Sequence, residues 1–205
     1  MKQSEQILVS VGVDPGPKSG HICFIGPHET IIRSTPNNAT GMCCLFDWSG
    51  QVKYYVALER QQSFGGEGHS SLAGLLVEYG RWLGVLAALE YGHLAVTRVI
   101  TPKKWQWTYE QLLPQPPKQP QQTDFGSPAA FKRAQKKYRR DRESTRSRRK
   151  TALHHIAKDK ALLGVKITRD SADAFLLALH AENVLLREFG GSRLEAAENN
   201  PSPHD

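Results

Sequence analysis

The chain is short of the residues that build several common protein classes. It has 205 residues and three cysteines, Cys23, Cys43 and Cys44. No CxxC spacing and no Cys/His zinc spacing occurs, so a disulfide framework and a thiolate metal centre are both excluded. His69, His154, His155 and His180 share no ligand spacing either. No uninterrupted apolar run reaches the roughly 18 residues a membrane span needs, so no membrane association is expected. The first residues, MKQSEQ, lead straight into a strand, and no secretory leader is expected. Reduced thiols in a cytoplasmic setting are the simple reading.

Positive charge is present but unevenly placed. The net charge is +7 and the sequence pI is about 9.4. Between Lys132 and Lys150 stand eleven Lys/Arg against Asp141 and Glu143, a net +9, so the remainder carries −2. One segment is therefore the cationic part of the protein. A run this dense suits a polyanion, and nucleic acid is the expected partner, with Arg139, Arg140, Arg148, Arg149 and Lys150 among the contacts. A solvated helix face or a localisation signal would read the same way.

The hydrophobic pattern gives the architecture. Residues 7–13 are nearly continuous and β-branched, as in a central strand buried on both faces. Residues 21–25 and 29–33 read as a hairpin, 53–59 as a fourth strand and 94–100 as a fifth. Residues 34–52 read as a loop. Leu72, Leu75, Leu76, Tyr79, Leu83 and Leu86 recur at helical spacing after a glycine-containing loop. Gly80 and Gly84 on that helix mark either a dimer contact or packing on the sheet. Thr101-Pro102 opens a short helix in which Trp105 is a core residue. Residues 114–130 are rich in Pro and Gln and read as an exposed connection. The basic arm follows, then a helix around 151–163 and a last one from Ser171 to about residue 188. Residues 190–205 read as a disordered tail. The sum is an α/β protein with a mixed five-stranded sheet flanked by helices.

Four acids stand out on this scaffold. Asp14 and Glu59 each end an apolar strand. Asp170 and Asp173 open an apolar helix one turn apart. Carboxylates at the ends of core elements are costly to desolvate unless a cation compensates. Four oxygen ligands converging on one spot suit one or two Mg²⁺ ions, with Mn²⁺ able to substitute, and hence phosphoryl-transfer chemistry. Each acid also has a plain reading. Asp14 could initiate a turn at Pro15-Gly16, Glu59 could be a surface strand end, and Asp170 could cap the helix with Asp173 in its first turn.

VGVDPGPKSG, VALERQ and DSADAFLLALH occur in the order and setting seen in RuvC-like Holliday junction resolvases of the ribonuclease H-like superfamily, and the chain resembles them over roughly residues 6–188. The resemblance implies a ribonuclease H-like nuclease domain over 6–189, with 114–150 as an insertion where bacterial resolvases have a shorter connection. It implies a homodimeric, Mg²⁺-dependent endonuclease that nicks four-way DNA junctions. Asp14, Glu59, Asp170 and Asp173 would be its catalytic and metal-binding residues. Phe64 would be an aromatic probe of opened base pairs, although it could equally be a loop residue folded on the core. The alternatives are a nuclease of the same superfamily acting on other branched DNA or on RNA–DNA hybrids, and a non-catalytic DNA-binding protein. A two-domain sugar-kinase or actin-type ATPase is excluded by chain length and by the lack of a second Gly-rich phosphate loop.

Overall fold

A computed structural model describes residues 6–16, 20–61, 69–162 and 164–186. Phe64 and the 190–205 tail lie outside the described residues. Five strands form one sheet: β1 (Ile7–Asp14), β2 (His21–Ile25), β3 (Thr30–Ser34), β4 (Val52–Glu59) and β5 (Ala95–Ile100). Their order is β3-β2-β1-β4-β5. β1–β2 and β2–β3 pair antiparallel, while β1–β4 and β4–β5 pair parallel. The mixed five-stranded α/β sheet is as the sequence implies. The long helix α2 (His69–Tyr91) supplies the crossover between the parallel strands β4 and β5.

Strand alternation divides the core in two. On one face Val11, Val13, Tyr54, Val56 and Leu58 meet Trp82, Val85, Leu86 and Leu89 of α2, together with Met42 of the short helix α1 (Ala39–Cys43). On the other face Tyr55 and Ala57 meet α3 (Pro102–Gln106), α4 (Pro128–Lys160) and α5 (Ala172–Ala181). Helix α5 lies directly on β1. A Cβ at Gly12 would sit 2.1 Å from the Ala174 carbonyl oxygen and 2.3 Å from the Ala178 nitrogen. Glycine below and alanines above allow the two backbones to touch.

The structure corrects four local expectations. Residues 34–52 contain α1, capped by Asn38 Oδ1, which accepts from the Gly41 N–H at 2.7 Å. The core stripe of α2 is Trp82, Val85, Leu86 and Leu89, whereas Leu76 (53%) and Leu83 (40%) are exposed. This helix is apolar on nearly all sides, so periodicity alone could not choose its inner face. Its Leu72–Tyr91 stretch is also long and apolar enough to cross a membrane by length and composition, although Glu78, Arg81 and Glu90 interrupt it and Trp82, Val85, Leu86 and Leu89 pack in the core. The basic arm is not a separate segment before a helix. It forms one continuous helix with the residues after it, Pro128–Lys160. Ser127 caps that helix, its Oγ accepting from the Ala130 N–H at 3.3 Å, with Pro128 at the first helical position. Lys, Arg, Gln and Ala are strong helix formers and carry the helix through the charged stretch. Finally, regular α-helix in α5 ends at Ala181 and gives way to a π-helical turn over Glu182–Leu186.

Candidate active site

Parity on the strands brings the acids together. Gly12 pairs with Ala57, and both look toward α5. Side chains two residues further along a strand point the same way. Asp14 and Glu59 therefore emerge side by side at the ends of β1 and β4, on the α5 face. Asp173, in the first turn of α5, faces them.

The electrostatics follow from that crowding. Glu59 is 9% exposed. Burial, with the charge of Asp173, pushes its carboxyl up to about 7, against the pull of hydrogen bonds from Trp105 and Asp14. Burial raises Asp14 well above the usual carboxylate range, and the charges of Glu59 and Asp173 add to this. The hydrogen bond between Asp14 and Glu59 raises the first and lowers the second. Asp14 is thus the proton holder and Glu59 the acceptor. Asp173 is also raised, chiefly by burial. Asp14 and Asp173 both retain an open side.

Trp105 explains why Glu59 holds its position. Its indole Nε1 donates to Glu59 Oε1 at 2.9 Å, and the ring is fully buried. The sequence marks Trp105 as core, and it is, but its polar edge faces the site. Nothing in the spacing points to that pairing. Trp105→Phe should remove a donor that favours ionised Glu59. Glu59 is protonated in the metal-free fold up to about 7, so its contribution to stability is full below the unfolded value near 4.5 and is lost as pH rises through about 7. Losing a hydrogen bond to a charged group, about 1.5–3 kcal/mol, extends that window upward by about one to two pH units. Melting in EDTA from pH 5 to 9 checks this.

Asp170 stands apart from the other three. Its side chain is 58% exposed and pairs with Lys150 Nζ at 3.1 Å. That partner holds it below its ordinary value. Nor does Asp170 cap α5. Ser171 occupies the cap position and exchanges hydrogen bonds with Thr168: Thr168 N–H donates to Ser171 Oγ at 2.9 Å, and Ser171 N–H donates to Thr168 Oγ1 at 3.1 Å. With that exchange closing the turn before α5, Asp170 turns outward to the rim.

Lys150 is the compensating cation. It lies close enough to draw down the carboxyls of Asp14, Asp173 and Asp170. Arg149 has a different task from the DNA contact expected of it. It donates to Glu110 Oε2 at 2.8 Å, to Glu110 Oε1 at 3.2 Å and to the Pro114 carbonyl at 3.0 Å. A forked guanidinium on a carboxylate is a tie between elements, here α4 and the 3₁₀ turn Trp107–Leu112. Arg148 donates to Thr145 Oγ1 within its own helix. Arg139 and Arg140 are exposed and carry no ion pair among the described residues. A substituent at Gly20 would strike Gly16 and Thr35 Oγ1 within 2.7 Å.

Among the described residues no three His, Cys, Asp or Glu side chains form a finished cation cage. The donor set nonetheless fits a hard cation. Asp173 Oδ1 is buried without a hydrogen-bond partner among the described residues, and the carboxyls crowd one another. An oxygen-seeking divalent ion at that spot would relieve both conditions.

No protein-family model matches the chain, and no curated protein matches it. Among solved structures, RuvC of T. thermophilus in complex with a Holliday junction substrate aligns over 91% of this chain and 97% of its own, at 12% identity and a TM-score of 0.44.

Proposed function

We propose that the chain is a divalent-metal-dependent endonuclease that nicks four-way DNA junctions symmetrically as a homodimer. The observation that carries the reading is the convergence of Asp14, Glu59 and Asp173 from two strand ends and a helix start, with one buried carboxylate oxygen unpartnered. Mg²⁺ held there would supply charge neutralisation for the phosphate and an activated water. The residues do the positioning. Asp14 is fixed by the central strand, Glu59 is oriented by Trp105, and Asp173 approaches from α5. Asp170 and Lys150 form the rim, where Lys150 can meet a phosphate oxygen once the DNA draws it from Asp170. Phe64 is assigned to the opened base pairs of the junction on the strength of its place in the sequence after Glu59.

The outer face of α2 is the proposed dimer surface. Leu76, Val77, Leu83 and Tyr91 are 40–90% exposed there. Gly80 and Gly84 lie between them, and among the described residues a Cβ at either position would have nothing within 4 Å, so they do not pack on the sheet. An apolar stripe with small residues suits close apposition of a second copy, and two-fold symmetry matches paired nicks on a two-fold junction. Leu76→Glu with Leu83→Glu should give a monomer by sedimentation and uncouple the two nicks. Both residues face outward, so the fold should persist.

The test of function compares a labelled four-way junction with matched duplex, a flap and an RNA–DNA hybrid, with and without Mg²⁺. Paired nicks on the junction are expected. Preferential cutting of flap or hybrid would move the chain to another activity, and binding without cutting would make it a non-catalytic DNA-binding protein.

A further inference from the structure

The continuity of α4 sorts the cationic arm into faces that the sequence does not separate. The C-terminal half of the helix is anchored: Thr145, Leu153 and Ala157 are buried, Arg149 grips Glu110, and Lys150 reaches Asp170. Arg169 adds a tie, donating to the Ser147 carbonyl at 3.2 Å and to its Oγ at 3.0 Å. From Pro128 to Ser144 no residue of α4 is buried. At 3.6 residues per turn, Lys132, Lys136, Arg139, Glu143, Arg146 and Lys150 fall on one line along the helix. Four of them, Lys132, Lys136, Arg139 and Arg146, are exposed cations. The line ends at the carboxylate site through Lys150. A neighbouring line begins with Arg133, Lys137 and Arg140, also exposed, but continues as Ser144, Ser147 and Thr151. It carries no cation to the site.

We infer that the Lys132–Lys136–Arg139–Arg146 line is a phosphate track that holds the duplex arm leaving the carboxylate site. The inference rests on the nuclease reading of those carboxylates. A rise of about 1.5 Å per residue puts Arg139 about 16 Å and Lys132 about 27 Å along the helix from Lys150. At about 3.4 Å per base pair, that spans about eight base pairs of duplex. Because α4 is a single helix anchored at the site, the track keeps a fixed distance from the scissile position. Charge complementarity chooses the occupant: a line of cations spaced by helical turns meets the regular anions of a nucleic-acid backbone.

The experiment uses the full chain with Asp14→Asn, so that binding is read without cutting. Two triple variants remove the same charge from the same stretch: Lys132→Gln, Lys136→Gln and Arg139→Gln on the track, and Arg133→Gln, Lys137→Gln and Arg140→Gln beside it. Binding to four-way junctions is measured against salt, with arms of 20 base pairs or of 5 base pairs closed by hairpins. Five base pairs reach about 17 Å, short of Lys136 and Lys132. On long arms the track variant should flatten the log–log salt slope by about 2.7, at about 0.9 per phosphate contact, and the neighbouring variant by less than about 1. On short arms the track variant's loss should fall below about 1. Equal effects of the two triples, an unchanged slope for the track variant, or a loss independent of arm length would overturn the track. Circular dichroism confirms the helix in both variants. A wild-type chain that fails to nick in Mg²⁺ while the difference between the triples persists would refute the nuclease reading and leave the track standing.

Discussion

Glu59→Gln should silence metal-dependent nicking and make the metal-free protein harder to melt. On the proposed function, the loss would follow from removing one charged oxygen ligand where several kcal/mol of transition-state stabilisation would depend on held cations, on the order of 10³-fold in rate. The gain follows from linkage. Glu59 is raised from 4.5 to about 7 in the fold, chiefly by burial. A carboxyl raised on folding contributes its full stability below the unfolded value and loses it as pH climbs through the folded value. At pH 8 the ionised, desolvated Glu59 therefore costs about 2–3 kcal/mol. Gln keeps the shape and removes that cost, so the melting temperature in EDTA should rise by about 5 °C at pH 8 and hardly change at pH 4. Asp14→Asn and Asp173→Asn should behave alike, as both carboxyls are raised. Asp170→Asn should not stabilise, since Lys150 favours its charged form. Its loss of cutting should be the smaller one. A variant of Asp14, Glu59 or Asp173 that cuts near the wild-type rate would refute the site.

Gly12→Ala should damage folding far more than a single methyl suggests. The added carbon would meet backbone atoms of α5 at 2.1 and 2.3 Å. Backbone cannot rotate out of the way as a side chain can. Helix α5 would have to lift off β1, exposing Phe175, Leu176 and Leu177 of the core and carrying Asp173 away from Asp14. Ordinary overpacking costs about 1–3 kcal/mol, and this case should exceed it. Urea titration should show a midpoint lowered by more than about 1 M, and any folded fraction should cut poorly. Wild-type stability in Gly12→Ala would mean that α5 does not rest on β1 as described.

Much of this was legible in the residues because short-range rules governed it. β1, β2 and β4 read correctly to within a residue, since inner strands buried on both faces are continuous apolar runs, and the edge strands β3 and β5 fell within a residue of their bounds. Asp14 and Glu59 were visible as charges ending such runs. What stayed hidden depended on faces and partners. Helix α2 is apolar on nearly all sides, so its inner side was set by Trp82 and Leu89 meeting the sheet. Asp170 looked like a cap because Asp favours that position, yet the Thr168–Ser171 exchange took the role. Arg149 was one of eleven cations until Glu110, 39 residues away, singled it out. Trp105 looked like a core residue, and only the fold shows its N–H on Glu59.

The central claim is that the buried carboxylates exist to hold hard divalent cations, and counting bound Mn²⁺ tests it most directly. Electron paramagnetic resonance of free Mn²⁺ during titration gives the ions bound per chain without DNA and without catalysis. Wild-type protein should bind one or two ions at millimolar concentrations, more tightly as pH rises from 6 to 8 because the ligands must be deprotonated. The Asp14→Asn, Glu59→Gln and Asp173→Asn triple variant should bind none at this site. Equal Mn²⁺ binding by wild type and the triple variant would contradict the account.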